Sequence, residues 1–147
     1  MKSSEKYIRD GRAPIPKNKI TSKVMRSNKA KNTKPELKFR MALTRNGIHG
    51  FTLHSKSLPG RPDISFNKNK IAVFINGCFW HRCPYCDLAI PKSNRSFWKN
   101  KFIKNIKRDK VKKSELQKLG WKVLTIWECK IKNGTRTQIN RINNYLN

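Results

Sequence analysis

Leu58-Pro59-Gly60-Arg61-Pro62-Asp63-Ile64-Ser65-Phe66 opens the stretch that decides the fold, which continues through Asn67-Lys68-Asn69-Lys70 into Ile71-Ala72-Val73-Phe74-Ile75 and ends on Asn76-Gly77-Cys78-Phe79-Trp80-His81. The apolar runs at 64–66 and 71–75 are short and bounded by turn-forming residues, the signature of strands in one sheet. A further run at 50–53 is a third candidate strand. Upstream, Thr33-Lys34-Pro35-Glu36 has the form of a capping box, in which hydroxyl and carboxylate each satisfy a free backbone N–H at a helix start. The spacing predicts a helix over 33–47, with Leu37, Met41 and neighbours facing inward. Downstream, Phe97, Phe102, Ile103, Ile106, Leu116 and Leu119 recur at mostly helical spacing over 95–119, and Gly120 supplies a stop. Residues 121–127 read as a strand, and Ile139, Ile142 and Leu146 as a small C-terminal helix. Helix, three strands, helix, strand, helix implies a mixed β-sheet flanked by helices, an α/β or α+β sandwich.

The chain has 147 residues, about one domain, and 36% of them are hydrophobic, which permits a folded interior. Residues 1–24, rich in Lys, Ser and Pro without sustained periodicity, read as a flexible basic arm, leaving 25–147 as one domain. Thirty-five Lys and Arg against eight Asp and Glu give a net charge of +27, so the natural partner is a polyanion. A phosphate backbone fits best, because each neutralised phosphate releases counterions; a ribosomal or anionic-membrane protein would look equally basic. No run is long and apolar enough for membrane insertion and no secretory leader is apparent, so the expected location is the cytoplasm, at the nucleoid.

Cys78, Cys83 and Cys86 lie close together, and Cys129 follows the strand predicted to end at Trp127. In a reducing compartment four such thiols point to Zn²⁺ rather than to disulfides. A closed shell of four thiolates leaves no position for substrate, so this zinc is expected to be structural, tying the segment after the third strand to the end of the fourth. Ordinary buried cysteines are the alternative.

With only eight acidic residues in so basic a chain, each carboxylate invites a question; the informative ones are Glu36, Asp63, Asp109, Glu115 and Glu128. Asp63, at a strand start after a Pro-Gly turn, is well placed to hold Mg²⁺ for phosphodiester hydrolysis; otherwise it is a turn residue. His81 lies in a segment that the zinc would stiffen, where a neutral imidazole can take a proton from water; a surface or zinc-ligating His is the alternative. Phe79 and Trp80 are adjacent aromatics in a basic loop, suited to entering between base pairs, with core packing of at least one as the plainer reading.

Met25-Arg26, Thr33-x-Pro35-Glu36, Leu58-Pro59-Gly60-Arg61-Pro62-Asp63, Val73-Phe74, Gly77-Cys78-Phe79-Trp80-His81, Phe97-Trp98, Gly120-Trp121 and Trp127-Glu128-Cys129 together resemble the very short patch repair (Vsr) DNA mismatch endonucleases over roughly residues 22–130. The resemblance implies a restriction-endonuclease-like fold, a zinc-containing variant of the PD-(D/E)xK core. It implies a Mg²⁺-dependent nick on the 5′ side of thymine in T·G mismatches left by deaminated 5-methylcytosine. It makes Asp63 the metal-binding aspartate, His81 the catalytic histidine, Asp109 the acid that polarises it, and Glu36 a glutamate reaching the metal through water. Met25, Phe79 and Trp80 become the residues that intercalate beside the mismatch; Cys78, Cys83 and Cys129 match zinc-ligand positions, and Cys86 sits within a residue of the fourth. The partner implied is duplex DNA with a T·G mismatch, bound by a monomer, with other repair proteins as candidate partners. The chain departs from the family at Ile75-Asn76, where the pattern can carry Thr-His. Ile75 can still offer a backbone carbonyl to Mg²⁺, and no acidic-x-Lys signature follows on that strand. Two other readings stay open: a nicking or restriction enzyme of the same fold with another target, and a noncatalytic zinc-stapled DNA-binding protein.

Overall fold

Four strands and five helices make up residues 31–147, the part of the chain that the computed structural model describes. The expected arm, residues 1–24, and Met25 lie outside the described residues. Helix α1 (Lys34–Arg45) leads into strands β1 (Thr52–Leu53), β2 (Ile64–Phe66) and β3 (Ile71–Asn76). A short helix α2 (Cys78–His81) and the long α3 (Arg95–Lys118) follow, then β4 (Lys122–Trp127), α4 (Glu128–Lys132) and α5 (Arg136–Leu146).

The sheet order is β1-β2-β3-β4. The first two pairings are antiparallel and β3 runs parallel to β4, with Ile64↔Val73, Val73↔Leu124 and Ile75↔Ile126 in register. This is the mixed sheet flanked by helices that the order of elements predicts. The parallel pair needs a long crossover, which α3 provides. Alternation puts Ile64, Phe66, Ile71, Val73, Ile75, Leu124 and Ile126 on one face, where they meet Phe39 and Leu43 of α1, Ile131 of α4 and Ile139 and Ile142 of α5 in a single core. On the other face, α3 crosses the Leu58–Arg61 turn. There Pro59 precedes Gly60 at φ +76 and the Arg61 N–H donates to the Leu58 carbonyl (3.2 Å), as a type II turn requires. A Cβ on Gly60 would lie 2.9 Å from Lys112 Cβ and 3.3 Å from the Phe74 ring, so glycine is needed for the contact as well as the conformation.

Two expectations about helix faces are corrected. On α1 the inward stripe is Glu36, Phe39 and Leu43, while Leu37 and Met41 are 45% and 53% exposed. The helix is rolled so that a carboxylate, rather than the neighbouring apolar pair, enters the interior. On α3 the buried residues are Trp98, Phe102, Asn105 and Leu116, while Ile103, Ile106 and Leu119 are exposed. Asn105 donates to the Trp80 carbonyl (3.0 Å), which fixes the rotation of α3. The segment expected as a loop after β3 contains a helical turn, closed by the His81 N–H to the Gly77 carbonyl (3.2 Å) and ended by Arg82 at φ +53. Neither that turn nor α4 is signalled by periodicity, since both are too short to display it.

Candidate active site and metal centres

Three elements converge at one end of the sheet. Thr33 caps α1 by accepting the Glu36 N–H (3.4 Å), while the Glu36 carboxylate takes the Asn32 N–H (2.9 Å) and is 4% exposed as a residue. Asp63 precedes β2, and its carboxylate accepts the Ile75 N–H at 2.6 Å, beyond the last β2–β3 pair. An amide that would otherwise be left at the sheet edge is thereby satisfied. His54 follows β1 and lies across from Asp63, because its own N–H continues the hairpin to the Asp63 carbonyl (3.2 Å). Its ring nitrogens stand 3.5 Å from Glu36 Oε2 and 3.8 Å from Asp63 Oδ1. One ligand atom from each of Glu36, His54 and Asp63 fits within a 4.8 Å group.

The electrostatics of this pocket favour a cation. Burial pushes the Asp63 carboxyl up from 3.8 to about 7, against the Ile75 N–H, which lowers it; the Glu36 charge adds to the rise and His81 offsets part of it. Among the described residues, no Lys or Arg pairs with either carboxylate. Two carboxylates are a donor set that a hard divalent ion accepts.

Beside this group, His81 Nδ1 contacts Asp109 Oδ2 at 2.5 Å. The two come together because α2 is pinned to α3 by Asn105, one turn before Asp109 on the same helix. With Nδ1 engaged by a carboxylate, Nε2 is the nitrogen left to exchange a proton with a reactant. The side chains of His81 and Asp109 are 23% and 36% exposed, so the pair is open to solvent on one side.

Phe79 and Trp80 project from the same turn into an aromatic group with Trp98 and Phe102 of α3. Phe79 meets Trp80, Trp98 and Phe102 edge-on at centroid distances of 5.1, 5.5 and 5.3 Å, and Trp80 lies 5.7 Å from Trp98. Both are half-buried, and the Arg82 guanidinium covers the Phe102 ring at 4.4 Å. Such packing fixes the rings before any partner arrives.

The second candidate metal centre is the thiol group. Sγ of Cys78, Cys83, Cys86 and Cys129 all lie within 4.8 Å of one another. Cys83 and Cys129 are 3.7 Å apart, too far for a disulfide and close to the ~3.8 Å edge of a tetrahedron with Zn–S bonds of about 2.3 Å. The Cys129 N–H points at Cys78 Sγ (3.3 Å) and the Tyr85 N–H at Cys83 Sγ (3.4 Å), donors that suit thiolates. Burial pushes the Cys78 thiol up to about 12; Cys83 is also penalised by burial, yet the N–H groups of Tyr85 and Cys86 hold it below its ordinary value. A set of soft donors in which some are stabilised as anions and others resist ionisation fits a borderline-soft cation that would deprotonate them all.

Residues 15–86 match the family described as DNA mismatch endonuclease Vsr. The chain is 42% identical over 121 residues to the type II nicking enzyme V.NmeAIP of Neisseria meningitidis, spanning 81% of this chain and 86% of that protein. It is 38% identical over 111 residues to the DNA mismatch endonuclease Vsr of Escherichia coli, 76% of this chain and 70% of that one. The type II nicking enzyme V.NaeI of Lentzea aerocolonigenes is 38% identical over 122 residues, 80% of this chain and 73% of that protein. The chain belongs to the Vsr family. It is therefore a DNA endonuclease, a hydrolase, and the noncatalytic reading of its charge and cysteines falls away.

Within this Vsr-family fold, Glu36 and Asp63 come together in one group, His81 and Asp109 in another, and the four cysteines in a third. Met25 lies outside the described residues. Two residues of the site escape a reading by motif. His54 carries no motif, yet the hairpin register that pairs Leu53 with Ile64 sets His54 opposite Asp63, a signal available once the two strands are aligned. Asn105, a buried amide in the Lys-rich α3, stands out only through its bond to Trp80. Among the described residues no helix is long and apolar enough to cross a membrane.

Proposed function

We propose that the protein is a Mg²⁺-dependent nickase that cuts one strand of duplex DNA on the 5′ side of thymine in T·G mismatches, with a restriction-endonuclease-like fold, a catalytic magnesium and a structural zinc. The observation that carries the reading is the pairing of His81 with Asp109 next to a half-buried Asp63 in a chain of this family. The E. coli relative is named for mismatches, and that target is carried to this chain as part of the proposal.

Asp63 would hold the magnesium together with the Ile75 carbonyl. A strand residue directs its N–H and C=O to the same side, and the Ile75 N–H already meets Asp63. Magnesium bound there supplies charge stabilisation on the phosphate oxygens. Glu36 stays out of direct reach of the phosphate and orders water at the same site. Asp109 fixes the His81 ring and stabilises its charged form, so His81 Nε2 accepts the proton of the attacking water. Phe79 and Trp80, held by Trp98 and Phe102, present ring edges that enter the stack beside the mismatch, where unstacking costs least; Met25 is proposed to act from the other groove. The +27 net charge supplies the phosphate contacts that hold the duplex as a monomer binds it in the cytoplasm. Cys78, Cys83, Cys86 and Cys129 would hold the zinc, which braces the α2 turn carrying His81 against the start of α4.

A second reading, a nickase of the same family with another target, is favoured by the relatives named as nicking enzymes. End-labelled duplexes with T·G or T·A at one position separate the two. A single nick beside T in the mismatched duplex alone, lost in Asp63→Ala, is expected. Cutting of the matched duplex would sink the mismatch assignment.

A further inference from the structure

His54 stands in the active site with no assigned task, and its surroundings define one. Its Nε2 is buried and makes no hydrogen bond among the described residues, although Glu36 Oε2 is 3.5 Å away. A buried polar atom without a partner is costly, so one kept between two carboxylates points to a group that fills the place. The residue is also held in the left-handed region at φ +47, unusual for a side chain with a Cβ, and its N–H is fixed to the Asp63 carbonyl. The backbone is thus constrained in a way that brings the imidazole between two carboxylates.

We propose that His54 is a direct ligand of the catalytic cation, making Glu36, His54 and Asp63 a mixed oxygen–nitrogen site that prefers Mn²⁺ or Co²⁺ to Mg²⁺. The inference rests on the functional reading above and specifies its metal. It replaces the water-bridged role of Glu36 by direct coordination. Ligand atoms about 2.1 Å from an octahedral ion lie ~3.0 Å apart when adjacent and ~4.2 Å apart when opposite. The 3.5 Å separation of His54 Nε2 from Glu36 Oε2 falls inside those limits. One ligand atom from each residue fits within 4.8 Å, and the three arrive from α1, the end of β1 and the start of β2, so no single element has to bend to close the site. A divalent ion bound there would offset the burial and the Glu36 charge that push the Asp63 carboxyl up.

The choice of ion follows from donor chemistry. Magnesium takes oxygen ligands and keeps its waters, whereas imidazole suits first-row transition ions, with affinity rising from Mn²⁺ through Co²⁺. A nitrogen at this position therefore shifts preference away from Mg²⁺ without excluding it.

The test is pulsed electron paramagnetic resonance of Mn²⁺ added to the full-length protein purified in zinc, with ¹⁵N-histidine and unlabelled samples, beside calorimetric titrations with Mn²⁺ and Mg²⁺. The expected result is a directly bound histidine nitrogen in the Mn²⁺ spectrum, kept in His81→Gln and lost in His54→Gln. The Mn²⁺-over-Mg²⁺ affinity ratio should fall about tenfold or more in His54→Gln. A wild-type spectrum without histidine nitrogen, or a nitrogen signal that survives His54→Gln, overturns the inference whatever the variant's stability, because the labelled wild type needs no substitution. Strand scission on T·G and T·A duplexes, run on the same samples, judges the functional reading separately. Mismatch nicking without a His54 nitrogen signal would overturn only the ligand assignment.

Discussion

The thiol group and the carboxylate group are both candidate metal centres, yet they are built in opposite ways. Four soft donors, three of them from one short segment, close around a point and leave no free position. Two carboxylates and an imidazole from α1, the end of β1 and the start of β2 instead gather at one end of the sheet, with His81 and Asp109 alongside. The difference separates holding from reacting. The first centre is expected to carry folding free energy and the second to carry chemistry, so emptying the second should leave the first intact.

The sharpest way to break this comparison is at the sulfurs. Cys83→Ser or Cys129→Ser should abolish zinc retention and cooperative thermal unfolding of the α2 region, since apparent zinc-binding free energies near ~10 kcal/mol or more are also folding free energy. Metal analysis and calorimetry check this; an unchanged melting curve with zinc lost would make the cluster incidental. Next in size, His81→Ala should lower nicking by roughly 10²–10⁴-fold, and Asp109→Asn by less, with duplex binding retained. Single-turnover kinetics on a T·G duplex decide it, and equal losses for both variants would mean that the pair acts as one unit.

A smaller effect is expected in stability against pH. In the metal-free protein the Asp63 carboxyl sits near 7 rather than 3.8, so the native state holds a proton that the unfolded chain has released between those values. Stability from this group is therefore full below about pH 4 and declines as pH rises through 7. Asp63→Asn should remove that decline and make the metal-free protein more stable at pH 8 by about 1–4 kcal/mol. Denaturant titrations at pH 5 and pH 8 measure it. A variant less stable than the parent at pH 8 would show that the Ile75 N–H bond outweighs burial.

The same contrast explains what the sequence makes legible. The thiols are readable because their ligands are rare residues at close spacing, and Asp63 and His81 because they lie in motifs. The strands at 64–66 and 71–76 show as apolar runs because β2 and β3 are covered on both faces. His54 goes unread because its role exists only after β1 pairs with β2. The inward faces of α1 and α3 are misjudged for a related reason: buried polar residues lie on them, Glu36 taking the Asn32 N–H just before α1 and Asn105 making a tertiary hydrogen bond to Trp80, and apolar spacing encodes neither.

The second centre should empty and refill without disturbing the first. Brief chelation of the purified protein, followed by metal analysis and a T·G nicking assay, should leave one zinc per chain and no activity, which Mg²⁺ or Mn²⁺ alone then restores. Activity that survives chelation, or that returns only with zinc, would contradict it.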